Sequence, residues 1–438
     1  MYRTDERDRH PELAAGSVSA QRACAPRLGR RPALPLLALL GLLGPGLVVM
    51  LADTDAGSLI TAAQSGARFR FSMILPELAL IPVLYVVQEL TVRLGIFTGE
   101  GHGALIRRHF GRLPALVSAT TLFLSALGAL VTELAGIAGV GQLAGVPRTL
   151  SVPAATVFLL ALAFSGSYRR LERIAIAIGL AELAFIPAML LAHPSASALA
   201  SGAVHLPLGS GSFLLLLAAN VGAVIMPWMI FFQQGAVIDR GLGRAALRAA
   251  RLDTALGALV TQIVMIAVVV ALAATVGGAH GHASLSTVGG IAGALTPYLG
   301  AIGGRVLFGA GMLGAALIAA LVASLAAAWG LAEVCGWPCS LNERPCAKNW
   351  RFYLTYGAAH LVGATLVLAS VDLISLAVDA EVMNALLLPI VLGFLLALER
   401  RALRADQRRR GWRRAAALAL CMPVVGFSLY MGASLLLG

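Results

Sequence analysis

The chain has 438 residues, of which 59% are hydrophobic and 12% charged, about half the charged fraction of an ordinary soluble domain. Its mean hydropathy is +0.85, which means more apolar surface than a soluble core can bury and excludes a soluble globular fold. A net charge of +12 attracts nucleic acid in some proteins. Here the basic residues stand in short segments between apolar runs, so no nucleic-acid partner is expected.

Apolar runs of membrane-spanning length predict about eleven transmembrane helices. The start of the chain is polar and rich in arginine, so 1–31 is predicted to be a flexible cytoplasmic tail and 32–438 a single transmembrane domain. No cleavable signal peptide is apparent, and the first helix is expected to be retained. The helices are expected near 33–64, 70–92, 114–142, 149–167, 173–192, 212–238, 252–276, 306–336, 352–374, 378–399 and 414–436.

The two longest outer connections have the composition of loops. Residues 193–210 and 277–304 are rich in Gly, Ala, Ser and Pro and contain no Asp, Glu, Lys or Arg. Such clusters are typical of turns and irregular segments. Both connections are therefore predicted to be loops.

The placement of basic residues predicts the orientation. With the N-terminus in the cytoplasm, the inward segments hold 29 of the 33 Lys and Arg residues. This asymmetry is the positive-inside pattern, and it predicts a multi-pass protein of a bacterial inner membrane, embedded in the lipid bilayer, with its C-terminus outside. A monomer is expected. The inward segments are 1–31, 93–113, 169–173, 239–251, 337–351 and 399–414.

Three of the five cysteines lie close together, at Cys335, Cys339 and Cys346. Their spacing matches no zinc-binding pattern. Reduced thiols are expected on the cytoplasmic side of a membrane. The function of the cluster stays open.

Two spans contain residues that an ordinary membrane helix avoids. The first contains 53–58 (DTDAGS), and the sixth contains 222–228 (GAVIMPW). A charge near the bilayer centre costs about 3 kcal/mol or more, and a helix break leaves backbone groups that lipid cannot satisfy. Interruptions five spans apart indicate an inverted-repeat transporter whose substrate site lies at the midplane. The first repeat is predicted at 32–193, the second at 211–399 and an extra helix at 414–436.

Several motifs in chain order resemble the NRAMP divalent metal transporters. The resemblance implies an all-α membrane protein with the leucine-transporter fold, in which two inverted five-helix repeats are followed by one extra helix. It runs over most of the chain. The motifs are 44–46 (GPG), 55–58 (DAGS, against Asp-Pro-Gly-Asn in the family), 61–67 (TAAQSGA), Gln88 with 93–99 (RLGIFTG), 169–172 (RRLE) and 222–227 (GAVIMP).

Carried over position by position, the resemblance implies a metal site. Its expected ligands are the carboxylate of Asp55, the carbonyl oxygen of Ala223 and the thioether of Met226. Ser58 stands where the family has Asn, and the carbonyl of Ala52 is expected to join when the site opens inward. Met226 as simple packing remains the alternative.

A sixth candidate ligand comes from a looser alignment of the tenth span. There Glu381 falls at the family's site glutamine. The alternative is that Glu381 pairs with an arginine or is protonated. Such a carboxylate would add a second negative charge to the metal site.

Departures from the family put proton coupling in doubt. Relatives that co-transport protons carry an Asp and a Glu three residues apart in the third span and two His in the sixth. The corresponding residues here are Glu133, Gly136, Trp228 and Gln233. The NRAMP-related magnesium transporters resemble this chain in lacking such a relay.

Five residues are candidates for the ion pathway or a gate. Each also has a structural alternative: a cap or entrance charge for an acid, an ion pair for the glutamate, helix contacts for the glutamines and bulk for the tryptophan. The five are Asp53, Glu133, Trp228, Gln233 and Gln234.

The function favoured by the sequence is transport of Mg²⁺, Mn²⁺ or both by alternating access, without strict proton coupling. A thioether favours transition metals, whereas a wider and more anionic oxygen site suits Mg²⁺. The transported ion is the substrate, and no cofactor is expected. Three alternatives stay open: a proton-coupled Mn²⁺ or Fe²⁺ importer, an amino-acid or amine carrier of the same fold, and a non-transporting sensor. Enzyme activity is not expected, because no hydrolase motif is present.

Overall fold

A computed structural model of the chain describes residues 44–164, 173–174, 176–177, 179–276, 287–338, 343, 345–369 and 372–437. The predicted tail, 1–31, lies outside the described residues. Where it is described, the chain forms helices joined by turns and contains no β-strand. This is the expected outcome for an apolar chain in lipid, because a helix satisfies its own backbone groups.

The helices differ in length from 7 to 48 residues. In chain order they are α1 (Pro45–Asp53), α2 (Ala56–Phe69), α3 (Ile74–Thr98), α4 (His102–Phe110), α5 (Arg112–Leu143), α6 (Arg148–Ala163), α7 (Phe185–Leu191), α8 (Ala196–Val204), α9 (Gly211–Val224), α10 (Pro227–Asp239), α11 (Leu247–Val276), α12 (Val288–Cys335), α13 (Trp350–Ala369), α14 (Leu373–Ala402) and α15 (Trp412–Leu437). Short 3₁₀ segments lie at Arg70–Met73, Leu180–Ala184 and Arg244–Ala246.

The described residues include 8 helical segments long and apolar enough to cross a membrane, or 9 if a pair bent by 109° at Leu180–Leu191 and Ala196–Val204 is one span. The segment Ala56–Thr98 is 43 residues long and contains both the end of the predicted first span, 56–64, and the whole predicted second span. The chain is thus a multi-pass membrane protein. The number of eleven spans stays a prediction, because 1–43 and 165–172 lie outside the described residues.

The prediction of two outer loops is wrong over part of each. Ala196–Val204 is helical in the first, and α12 already begins at Val288 in the second. Glycine lowers helix propensity in water, yet Gly is frequent in membrane helices, where each backbone group needs an internal partner. Composition alone therefore misplaced these boundaries.

The junction before the tenth predicted span also differs from expectation. The sequence predicted a break between 374 and 378, whereas α14 begins at Leu373. Asp372 caps this helix, because its Oδ1 accepts hydrogen bonds from the backbone N–H groups of Ile374 (3.1 Å) and Ser375 (3.0 Å). An aspartate at this position satisfies donors that the first helical turn leaves free.

The two broken helices lie at the centre of the bundle. α11 packs against α1, α2 and α3, while α5 packs along α12 and α9 along α14. Residues 44–66 and 218–237 are buried without exception. A helix buried on all sides lies inside the bundle rather than against lipid, so both breaks are surrounded by protein.

Candidate metal site

The first break separates α1 from α2 at Thr54 and Asp55. Asp55 is the N-cap of α2, and its Oδ1 accepts a hydrogen bond of 2.6 Å from the backbone N–H of Ser58. Its side chain is fully buried. Asp55 is therefore both the cap of α2 and a carboxyl group buried inside the bundle.

The second break exposes a backbone carbonyl. In a continuous helix the oxygen of Ala223 would accept from the N–H of residue 227, but Pro227 has no N–H. The hydroxyl of Ser58 instead contacts this oxygen at 3.2 Å and the carbonyl oxygen of Asp53 at 3.0 Å. Ser58 thus joins the two breaks, with the carboxylate of Asp55 beside it.

Glu381 on α14 reaches the same region. A Cβ atom on Gly57 would collide with Oε1 of Glu381, and one on Gly222 would collide with the backbone oxygen of Glu381. Oε2 of Glu381 accepts a hydrogen bond of 3.0 Å from Nδ2 of Asn384. Oδ1 of Asn384 in turn accepts a hydrogen bond of 2.7 Å from the hydroxyl of Ser125. Oε1 has no hydrogen-bond donor among the described residues. One carboxylate oxygen therefore faces Gly57, two residues from Asp55.

Glu133 on α5 has a defined structural contact. Its Oε2 accepts a hydrogen bond of 3.0 Å from the backbone N–H of Ala56, in the first turn of α2. The same carboxyl group interacts electrostatically with Asp55. Glu133 therefore both supports the start of α2 and places a second carboxyl group near Asp55.

No side chain fits at the position three residues after Glu133. A Cβ atom on Gly136 would collide with Cβ of Ala56. The close approach of α5 to α2 therefore requires glycine there, and a carboxylate at this position would push the two helices apart.

Met226 follows the second break and is fully buried. Its sulfur accepts a hydrogen bond of 3.1 Å from the indole Nε1 of Trp228. One lone pair of the thioether is thus occupied by a neighbour two residues away. Trp228 is itself fully buried and fills the centre of the bundle.

The remaining predicted residues differ in their contacts. Ala52 and Asp53 are buried in the last turn of α1, and Oδ1 of Asp53 has no donor among the described residues. Gln233 donates to the hydroxyl of Thr254 at 3.2 Å. Gln234 donates to the carbonyl oxygen of Glu100 at 2.7 Å, which ties α10 to the turn after α3 rather than to the breaks.

Sequence reasoning missed two further buried carboxyls near the site. Glu77 on α3 interacts electrostatically with Asp53, and Glu182 interacts with Asp55. Both are fully buried. A lone acid within an apolar run was the available signal, but neither stands in a motif.

A third buried acid that the sequence did not indicate lies at the start of α1. Asp253 on α11 accepts from the backbone N–H groups of Gly44 at 3.0 Å and Gly46 at 2.9 Å. The sequence distance of about two hundred residues hid this contact.

The donor set has a clear chemical character. Within the described part of the chain, no three His, Cys, Asp or Glu side chains converge as metal ligands, and Cys335 and Cys346 are free and exposed. Any ion at the breaks would instead be held by a mixture of carboxylate, backbone carbonyl, hydroxyl and thioether groups. Buried carboxylates are costly without a counter-charge, so the region suits a cation and disfavours an anion.

Comparison with known proteins gives consistent matches. The sequence matches the family described as natural resistance-associated macrophage protein-like over residues 46–434. The divalent metal cation transporter MntH of Verminephrobacter eiseniae is 26% identical over 333 residues, which are 72% of this chain and 74% of that protein. The divalent metal cation transporter MntH 1 of Pseudomonas aeruginosa is 30% identical over 299 residues, 65% of this chain and 67% of that protein.

A solved structure shows the same architecture. It is the manganese transporter of Eremococcus coleocola in complex with an aromatic bis-isothiourea substituted compound, with a TM-score of 0.74 at 19% identity over 92% of this chain and 88% of that one. This match confirms the expected leucine-transporter fold.

Proposed function

The chain belongs to the natural resistance-associated macrophage protein-like family, and on that premise we propose that it carries Mg²⁺, Mn²⁺ or both across the membrane by alternating access, without strict proton coupling. It is a transporter of divalent metal cations and not an enzyme. The ion is the substrate. The contact that carries the proposal is the Ser58 hydroxyl between the carbonyl oxygens of Asp53 and Ala223, beside the carboxylate of Asp55.

The proposed ligands come from both broken helices and from α14. Asp55 supplies charge, while Ala223 and, in an inward-open state, Ala52 supply carbonyl oxygens. Ser58 supplies a hydroxyl, and Glu381 a carboxylate oxygen that no described donor occupies. An ion that binds all of these holds α2, α9 and α14 together. Its departure lets α2 separate from α9 and α14.

The identity of the ion depends on Met226. A free thioether would favour Mn²⁺ or Fe²⁺ over Mg²⁺. Here the Trp228 indole N–H occupies one lone pair of the sulfur at 3.1 Å, and the other donors are oxygens. Oxygen ligands and retained waters suit Mg²⁺, which dehydrates reluctantly. We therefore favour Mg²⁺, with Mn²⁺ as a second substrate.

The case against strict proton coupling comes from the missing relay. Helices α1, α2, α9 and α10 contain no histidine, and Gly136 leaves no room for a carboxylate. Glu133 is the one carboxyl group at the four relay positions, and because it interacts electrostatically with Asp55, proton release on ion binding is the alternative to be measured.

The mechanism uses the breaks as hinges. The half-helices α1 and α10 lie on one side of the site, and α2 and α9 on the other. Asp253 binds the free N–H groups at the start of α1, which keeps that half-helix packed on α11. Release of this contact opens a path on the α1 side, whereas movement of α2 and α9 opens the opposite side.

The surroundings of the site are part of the proposal. We place the protein in a bacterial inner membrane as a monomer, with the N-terminus in the cytoplasm and the C-terminus outside, because that orientation puts the arginine-rich connections inside. The inverted repeats are proposed at 32–193 and 211–399, with 414–436 as an additional helix.

Liposomes test the function directly. Purified protein is reconstituted with internal dyes sensitive to Mg²⁺, to Mn²⁺ and to pH. We expect ion entry without matched acidification, and its loss in Asp55→Ala. Asp379→Ala is the matched control, because Asp379 is an exposed acid of α14. Full uptake by Asp55→Ala would refute the site, while stoichiometric proton entry would refute the uncoupled mechanism.

Competition separates the rival substrates. Uptake inhibited by amino acids and indifferent to Mg²⁺ and Mn²⁺ would indicate an organic substrate. Ion binding without flux would indicate a sensor.

A further inference from the structure

A basic cavity lies far from the proposed metal site, at the end of the bundle where α3 ends and α15 begins. It has a volume of about 330 Å³. Four arginines from three segments line it together with one acid, Glu89. The arginines are Arg93, Arg251, Arg409 and Arg413.

One carboxylate is shared by three of these arginines. Oε1 of Glu89 lies 2.6 Å from Nη2 of Arg93 and 2.8 Å from Nε of Arg251. Oε2 lies 2.7 Å from Nη2 of Arg409. Both oxygens of Glu89 are therefore occupied. The three guanidinium groups and the one carboxylate together carry a net charge of +2, and Arg413 adds a further positive charge.

Two guanidinium groups keep buried donors without a partner. Nη1 of Arg409 and Nε of Arg93 have no hydrogen-bond acceptor among the described residues. The side chain of Arg409 is only 5% exposed. A second acid, Glu399, accepts from the backbone N–H of Arg409 at 2.9 Å but lines a different cavity. Buried positive charge with unused donors is costly unless an anion completes it.

An apolar groove continues from this cavity along the same two helices. It has a volume of about 350 Å³ and is formed by 76–83 of α3, 419–427 of α15 and two side chains of α9. The cavity ends at Tyr85 and Ala416, within one helical turn of the groove on each helix. A site with a cationic head and an adjoining apolar channel has the shape of a phospholipid.

The cavity also has the composition of a membrane interface. Trp412 at its rim is 75% exposed, with the guanidinium of Arg413 at 5.8 Å from its ring centre. Tryptophan is enriched at the headgroup level of membranes. This end carries the segments that the positive-inside pattern assigns to the cytoplasm, where the leaflet is anionic.

We propose that the crevice between α3 and α15 is a binding site for an anionic phospholipid, whose phosphate lies among Arg93, Arg251, Arg409 and Arg413 and whose acyl chain occupies the groove. Guanidinium groups bind phosphate through paired N–H donors. The site is independent of the transported ion. It links α15, outside the two repeats, to α3 and α11.

Native mass spectrometry of the full chain in neutral detergent tests the proposal. Phosphatidylglycerol and phosphatidylcholine with identical acyl chains are offered in equal amounts. We expect one phosphatidylglycerol to be retained, at least about fivefold more tightly than phosphatidylcholine, since each arginine near an anionic lipid contributes about 1 kcal/mol. Equal retention of both lipids would overturn the proposal.

Matched variants assign the binding to this cavity. Arg413→Gln should weaken phosphatidylglycerol binding about fivefold, whereas Arg410→Gln should not, because Arg410 is exposed, does not line the cavity and donates to the Ala405 carbonyl. Arg413 is also exposed, so its replacement leaves folding intact, and the thermal melting temperature verifies this. Equal effects of the two variants would contradict the site.

A third variant separates a lipid from free phosphate. Ala419→Phe fills the apolar groove without touching the arginines. It should weaken long-chain phosphatidylglycerol and leave the dihexanoyl form unaffected. If inorganic phosphate at about the ionic strength of a physiological buffer displaces the lipid and Ala419→Phe has no effect, the cavity binds phosphate alone and the lipid assignment is wrong.

Discussion

The hydroxyl of Ser58 donates to the carbonyl oxygen of Ala223 across 3.2 Å, which joins the start of α2 to the end of α9. The two residues are 165 positions apart. A helix start and a helix end that meet in this way bring backbone oxygens and a carboxylate to one point inside the bundle.

Replacing this hydroxyl should impair transport. Ser58→Ala removes the contact and a proposed ligand, so we expect the initial rate of Mg²⁺ uptake to fall about fivefold, the equivalent of a hydrogen bond of about 1 kcal/mol. Ser58→Asn adds a longer amide oxygen and should raise the ratio of Mn²⁺ to Mg²⁺ uptake. Ser428→Ala, which removes a buried hydroxyl of α15 with no described partner, should leave both rates unchanged. Unaltered uptake in Ser58→Ala would remove this residue from the site.

A double-mutant cycle tests the packing of Glu381. Gly57→Ala places a methyl group against Oε1 of Glu381, and overpacking of this kind costs about 1–3 kcal/mol. We expect a lower melting temperature, largely restored in Gly57→Ala with Glu381→Ala because the colliding side chain is gone.

Gly222→Ala supplies the control for that cycle. Its methyl group would meet the backbone oxygen of Glu381, which Glu381→Ala does not remove. The melting temperature should therefore stay low in this second double variant. Equal rescue of both glycine variants would show that the contacts are misassigned.

Loss of Asp253 should loosen α1. Its carboxylate satisfies the first N–H groups of that helix, and removal of a cap costs about 1 kcal/mol. In Asp253→Ala we expect backbone hydrogen exchange over residues 44–53 to become about fivefold faster. Asp379→Ala, the exposed acid of α14, should not change it. Equal exchange in parent and Asp253→Ala would mean that the contact does not hold the helix.

His102 predicts a specific pH dependence of stability. It lies in α4, between membrane spans, and burial lowers its pKa to about 4. The ordinary value is about 6.5, so between these two values the unfolded chain binds the proton and the folded chain does not. The contribution of neutral His102 to the free energy of unfolding is on the order of 3 kcal/mol. It is fully present above about pH 6.5 and is lost as the pH falls toward 4.

The measurement is the melting temperature from pH 4 to pH 7.5. His102→Gln should flatten the acid side of this curve relative to the parent. His205→Gln, at an exposed position, should leave the curve unchanged. An identical acid slope in His102→Gln and parent would contradict the assignment.

The sequence predicted the central features of this fold for physical reasons. Lipid leaves a chain few options other than helices, and charge within an apolar run is expensive enough to be informative. The sequence alone was therefore enough to recognise Asp55, Pro227 and the uneven distribution of the arginines. The Ala223 carbonyl was expected from the family resemblance, and the missing N–H of Pro227 explains why no helical donor reaches it.

Long-range contacts were beyond the sequence. Nothing local indicates that Asp253 binds the N–H groups of Gly44 and Gly46, or that the indole of Trp228 occupies the sulfur of Met226. Gln234 was a candidate for the ion pathway with helix contacts as its alternative, and its hydrogen bond to the Glu100 carbonyl is a contact of the second kind. Helix boundaries failed at 288–304 for a different reason, since glycine content is a weak guide inside a membrane.

Gly222 leaves no side chain between α9 and α14, so the two backbones are in direct contact at Glu381. Two backbones packed directly against each other have no flexible side chain between them that could adjust to a sliding motion. In the proposed transport cycle we expect these two helices to move as one rigid piece, and the shearing that opens and closes the protein to take place along the faces of α1, α2 and α10.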